Sequence, residues 1–202
     1  VAGGGMALCA WKLRRYLGVV RWGIALGLLG FHLYMNAPVW YLFSRIGDLA
    51  GGGGWHRSEL INKVIEHFDM WWLAGTSFAN TAEWFPYTVA IGSEESADFT
   101  NQFVEEAITG GLVTLSLFIS ILVLCYKYLG RALIRFEDQE DESKYLWCLG
   151  AGLFAHIISF FSVSYFDQIS IYLYWMMAAI AGTSAYEEAP AEEAPRPAEA
   201  TA

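Results

Sequence analysis

Four apolar stretches punctuate this chain, and a long polar interval separates the first two. Leu17–Val39, Ala107–Tyr128, Tyr145–Val163 and Ile169–Tyr186 are nearly free of charge. Each is about the 20 residues that an α-helix needs to cross a hydrocarbon core of about 30 Å. The pattern predicts an all-α, polytopic transmembrane protein with about four spans. Between the first two spans, Leu60, Ile61, Val64, Ile65, Phe68, Trp71 and Trp72 recur at helical spacing, while Glu59, Asn62, Lys63 and Glu66 take the other face. Arg57–Trp72 therefore reads as an amphipathic helix lying on the membrane or on neighbouring helices. Gly51–Gly54 leads into it as a flexible hinge, and Leu73-Ala74-Gly75-Thr76-Ser77 turns the chain after it. Ser93–Asp98 supplies helix-starting residues, with Ser96 or Asp98 as the N-cap of a helix running through Asn101 and Glu105 into the second span. On such a helix Asp98, Asn101 and Glu105 share a face. Gly110-Gly111 stands at the membrane entry, where it lets another helix or a lipid headgroup approach the backbone.

Basic residues orient these spans, because Lys and Arg of short loops are retained on the cytoplasmic side. Lys12, Arg14, Arg15 and Arg21 lie at the start of the first span, and Lys127, Arg131, Arg135 and Lys144 fill the link between the second and third. The segment from about Trp40 to Glu106 is thus external, with Arg45, Arg57 and Lys63 against many carboxylates. The expected organisation is a cytoplasmic segment and first span over 1–41, an external loop over 42–106, three further spans over 107–186, and a cytoplasmic tail over 187–202.

Composition agrees with a membrane protein: 55% of the 202 residues are hydrophobic and 16% aromatic. Much of the net charge of −9 comes from the Pro/Ala/Glu tail, which reads as disordered because it has little apolar surface to bury. Cys9, Cys125 and Cys148 match no metal-ligand spacing or disulfide framework and read as packing residues. An acidic loop without a basic stripe argues against nucleic acid, and no phosphate-cradling Gly-rich loop or His/Cys cluster suggests a metal or nucleotide cofactor. The chain begins at Val1, which fits an alternative start codon or a fragment whose earlier spans are missing.

The loop and the span that follows it resemble the O-antigen ligase and polymerase superfamily of bacterial envelope glycosyltransferases. Three elements carry the resemblance in order: Arg57-Ser-Glu-Leu-Ile61, Trp72-Leu-Ala-Gly-Thr-Ser77, and Thr100-Asn-Gln-Phe-Val-Glu-Glu-Ala-Ile-Thr-Gly-Gly-Leu112. By topology it extends over roughly residues 17–186. It implies the C-terminal part of a multi-pass enzyme of the bacterial inner membrane. Such an enzyme moves a glycan from an undecaprenyl diphosphate carrier to an acceptor hydroxyl on lipid A core, another glycan or a protein, without a metal or other cofactor.

That chemistry gives the residues their expected roles. Without a metal, the departing diphosphate needs a fixed cation, and the planar fork of Arg57 suits bidentate phosphate contacts. The plainer alternatives are a pair with Glu59 or Glu94, or snorkelling beside headgroups. Where ligase members commonly carry a histidine, this chain has Thr100, which is no general base near neutral pH. Asp98 and Asn101 are then the candidate catalytic residues, with His56 and His67 as alternative bases; the bland reading is a helix cap and solvated histidines. Glu105 is expected to position sugar or acceptor, and Trp72 and Trp84 to stack on sugar rings. The aromatics Trp55, Trp71, Trp72, Trp84, Phe85 and Tyr87 equally suit an interfacial belt. His156, in the third span, is a functional candidate or a core histidine bonded to a neighbour. Two rival classes stay open: a non-catalytic scaffold or export component, and a transporter using His156 and Asp167.

Overall fold

The computed structural model describes residues 10–11, 16–36, 38–42, 54–84, 88–91, 94–97 and 99–188. Asp98, Phe85, Tyr87, Arg45, Cys9, the basic residues 12–15, the glycines 51–53 and the tail from 189 onward lie outside that set.

The chain is predominantly helical. Its elements are α1 (Leu17–Tyr34), a 3-10 turn (Val39–Tyr41), α2 (Gly54–Glu66), α3 (Phe68–Trp71), a 3-10 segment (Phe78–Trp84), β1 (Thr88–Ile91), β2 (Glu94–Ala97), α4 (Gln102–Arg135), α5 (Glu140–Phe160) and α6 (Gln168–Glu188). Each expected span falls on a helix, with shifted ends. α1 stops at Tyr34, short of Pro38, whose ring disfavours helix in the residue before it. α4 extends beyond the apolar run at both ends. α5 begins five residues early, because Glu140, Asp141 and Glu142 occupy its first turn, where carboxylates complement the helix dipole. Among the described residues one helix, α4, is long and apolar enough to cross a membrane.

A small exception to the all-α expectation lies at Ser93–Asp98. Residues 94–97 pair as β2 with β1 in antiparallel register, Thr88 opposite Ala97 and Ile91 opposite Glu94. The ribbon packs beside the 78–84 segment. Ser96 is therefore in a strand and caps no helix. Asn101 is extended, with φ −154° and ψ 115°, and its Oδ1 accepts the Val104 N–H at 3.2 Å as the N-cap of α4. The expected common helical face of Asp98, Asn101 and Glu105 is not formed, since the helix starts only after Asn101.

Two apolar clusters hold the chain. The larger joins α4, α5 and α6 through Leu122, Cys125, Leu129, Leu146, Leu153, Phe160, Leu173 and Ile180. Cys125 packs there as expected, whereas Cys148 is exposed. The smaller gathers Leu60, Val64, Trp71, Trp84, Phe99, Ala107 and Ile108 from α2, α3, the 78–84 segment and the start of α4. The candidate site is built around this second cluster.

Candidate functional site

The expected amphipathic helix is two helices. α2 ends at Glu66, His67 takes φ −100° and ψ 28°, and α3 follows. The break splits the apolar stripe. Leu60, Val64 and Trp71 are buried, while Ile65, Phe68 and Trp72 remain about half exposed. Trp71 Nε1 fastens the bend by donating to the Val64 carbonyl at 2.8 Å. Gly54, expected in a flexible hinge, is a buried residue of the first turn of α2. Asn62 ties α2 to the end of the α1 region: its Nδ2 donates to the Tyr41 hydroxyl at 2.6 Å and its Oδ1 accepts from Trp40 Nε1 at 3.0 Å.

The turn after α3 docks onto α4 through main chain alone. In an unbroken helix Leu112 N–H would bond to the Ile108 carbonyl, and a continued α3 would bond Thr76 N–H to the Trp72 carbonyl. The two breaks exchange partners. Leu112 N–H donates to the Trp72 carbonyl at 2.9 Å, and Thr76 N–H donates to the Ile108 carbonyl at 2.7 Å. Glycine is needed on both sides of this clasp. Gly111 lies at φ 70° and ψ −171° and kinks α4, and a Cβ there would fall 2.4 Å from the Leu73 carbonyl oxygen. Gly75 has φ 79°, and its Cβ would fall 2.4 Å from the Thr109 carbonyl. The backbone that approaches Gly111 is thus this chain's own turn.

Arg57 stands on α2 one turn before Leu60, so packing of Leu60 and Val64 in the shared cluster fixes the helix that carries it. It is half-buried, and its Nε is buried with no hydrogen-bond partner among the described residues. Among the described residues no ion pair joins it to Glu59, whose Oε2 accepts from Asn62 Nδ2 at 3.4 Å. The Glu94 side chain lies outside the described set. Among the described residues no carboxylate forms an ion pair with Arg57.

The start of α4 meets the 161–167 link. Ser164 Oγ donates to the Phe99 carbonyl, and Tyr165 N–H donates to Gln102 Oε1 at 2.5 Å. Gln102 Nε2 in turn donates to Glu106 Oε1 at 2.9 Å. His156 Nδ1 is 2.7 Å from the Tyr165 hydroxyl. His156 therefore has a partner within the link, and Ser164 and Tyr165 of the link touch the α4 start. Sequence reasoning does not single out Gln102, Ser164 or Tyr165. Gln102 lies in the third element of the resemblance without a role of its own there, Ser164 and Tyr165 carry no motif, and the packing of α5 and α6 on α4 brings the three together.

Of the remaining candidates, Asn101 is buried and uses its side-chain oxygen on the cap, so it positions the α4 start. Glu105 is half-buried, and burial raises its carboxyl above the ordinary value, opposed by the Ser164 hydroxyl and assisted by the charge of Glu106. Among the described residues its Oε2 is buried without a partner, as is Thr100 Oγ1. Leaving such an atom unsatisfied costs about 1–3 kcal/mol. Trp72 is exposed and stacks one ring face toward Phe68, centroids 6.5 Å apart. Trp84 is only 6% exposed and stacks on His67 at 4.6 Å, which leaves it no open face for a sugar. His67 Nδ1 also contacts the Lys63 carbonyl at 2.9 Å, so this histidine is a packing residue. His56 meets Trp55 edge to face. Asp98 lies outside the described residues.

No protein-family model, curated protein or solved structure matches the chain.

Proposed function

We propose that this chain acts in a bacterial inner membrane as an O-antigen ligase- or polymerase-like glycosyltransferase. It takes a glycan from undecaprenyl diphosphate and delivers it to an acceptor hydroxyl at the external face. The observation that carries this reading is the main-chain clasp. It joins residues 72–76 to 108–112, within the second and third elements of the resemblance, and Ile108 of the third shares one apolar cluster with Leu60 of the first, on the helix that bears Arg57. Elements read separately in the sequence thus belong to one structural unit.

The membrane setting has separate support. α4 is apolar, lies mid-chain, and has only 22% of its apolar window covered by the rest of the chain, which supports a membrane span over a mostly buried core helix. After the Gly111 kink, residues 112–135 extend about 36 Å, enough for the hydrocarbon core. We read α1, α5 and α6 as the other three spans, with both ends of the chain cytoplasmic and 42–106 external. Exposed Ile65, Phe68, Met70, Trp72 and Leu73 support an interfacial position of α2 and α3 in this reading. Arg57 holds the leaving diphosphate there, and Trp72 offers an open ring to glycan or headgroup.

The test compares cells carrying the wild-type gene and its Arg57→Ala variant at matched membrane levels. Carrier-linked glycan should accumulate in the variant while mature surface glycan falls. Identical profiles would overturn the role of Arg57 and favour a non-catalytic scaffold.

A further inference from the structure

We propose that Glu105 is the base that accepts the proton of the attacking hydroxyl, in the space beside Thr100. The inference rests on the transferase reading and names the residue that reading lacks.

Its first support is the geometry of the helix start. Asn101 is the N-cap of α4, so Thr100 is the residue before the cap and Glu105 the fourth residue within the helix. These two positions come side by side at helix N-termini, the arrangement known from hydrophobic staples. Here neither position is apolar. Thr100 Oγ1 and Glu105 Oε2 are both buried, and both lack a hydrogen-bond partner among the described residues.

The second support is the way Glu105 is surrounded. Among the described residues no cation pairs with it. Its polar neighbours are the Ser164 hydroxyl and the Glu106 carboxylate. Ser164 has one proton for two acceptors, the Phe99 carbonyl and the Glu105 carboxyl. Glu106 cannot serve as donor while ionised, and it accepts from Gln102. A carboxylate that is desolvated, uncompensated and short of a donor is matched by an alcohol, the group a glycosyl acceptor presents. Burial also raises the basicity of Glu105 relative to a surface carboxylate, in the direction a general base requires.

The reaction balances without further reagents. The acceptor oxygen bonds to the anomeric carbon, and its O–H proton passes to Glu105 Oε2. The bond from the anomeric carbon to the diphosphate oxygen breaks with its electron pair going to that oxygen, which Arg57 stabilises.

The deciding experiment introduces wild-type, Glu105→Gln and Glu105→Asp genes into a strain deleted for this gene. Carrier-linked and mature glycan are followed at matched membrane levels. The deletion strain should accumulate carrier-linked glycan. A glutamine side chain keeps size and hydrogen-bonding capacity but not basicity, so the Glu105→Gln variant should lose about 100-fold in transfer rate. The Glu105→Asp variant, shorter but basic, should retain measurably more. A merely structural Glu105 gives the opposite order. Glu105→Gln equal to or better than Glu105→Asp would overturn the assignment while the transferase reading stands. A deletion strain with unchanged carrier-linked and mature glycan would overturn both.

Discussion

Replacing Gly111 by alanine should open the clasp on which the site is assembled. At φ 70° and ψ −171° Gly111 occupies a region that is essentially restricted to glycine, worth about 1–3 kcal/mol to any other residue. The added Cβ would stand 2.4 Å from the Leu73 oxygen and 2.6 Å from its carbonyl carbon. Both are main-chain atoms, so no rotamer change relieves the overlap. The variant has two exits: α4 straightens, or the 73–76 turn is pushed away. Either breaks the Leu112 to Trp72 and Thr76 to Ile108 bonds, each worth about 1 kcal/mol net. The expected loss is about 3–5 kcal/mol, a large share of the stability of a typical domain. Gly130→Ala is the control, since it sits in the same helix with nothing within 4 Å of its Cβ. It should be neutral or stabilising by up to about 1 kcal/mol. Unfolding of the detergent-solubilised protein, followed with a denaturant or by temperature, compares the two. If Gly111→Ala lies within about 1 kcal/mol of wild type, the clasp does not hold the turn to α4 and the structural basis of the site fails.

Three further outcomes follow from the same geometry. Asn101→Ala should cost about 1 kcal/mol of stability in the same unfolding assay, while Asn101→Asp, which keeps a capping oxygen, should cost little; equal losses would deny the cap. Arg57→Lys should fail to restore glycan transfer lost in Arg57→Ala, because a lysine has no planar fork for bidentate phosphate contact; full activity of the lysine variant would reduce Arg57 to a bare charge. Glu105→Gln should melt higher than wild type at pH 7, with the gap closing toward about pH 4. The sign follows from burial, which raises the Glu105 carboxyl above 4.5, so its stabilising contribution is complete below that value and is lost as pH rises through the raised one. A gap that widens on acidification would contradict it.

The parts of this fold legible in the sequence are those set by local periodicity. All four apolar runs form helices, and the α2 face carrying Leu60 and Val64 is buried as its spacing implies. The hairpin is harder to read: Gly92-Ser93 between Ile91 and Glu94 is a two-residue loop signal, but the serine and acidic residues beside it equally suit a helix start. The choice of Asn101 as the cap depends on where β2 ends, which the capping preferences of Ser, Asp and Asn do not decide. The break at His67 is stabilised by a stack on Trp84, a contact between distant residues. The clasp is readable only as glycines that permit close approach. What approaches them is fixed by tertiary packing, which brings together segments that no periodicity links.

A division among the polar groups separates scaffold from site. Asn62, Trp71 and Gln102 each have a polar atom engaged in fixing one element to another, and Asn101 uses its side-chain oxygen to cap α4. Folded proteins satisfy roughly nine in ten of their buried polar groups, so those left unsatisfied discriminate better than those that are bonded. Among the described residues Arg57 Nε, Thr100 Oγ1 and Glu105 Oε2 are left so, and they belong to the helix and the helix start that the smaller cluster brings together. An arginine suits an anion, and a desolvated carboxylate suits a hydroxyl. A reaction that expels a diphosphate as an alcohol attacks requires both, and it requires them held by a framework whose own hydrogen bonds are already complete. The main-chain clasp provides that framework without using a side chain, which leaves the side chains around it available for the substrates.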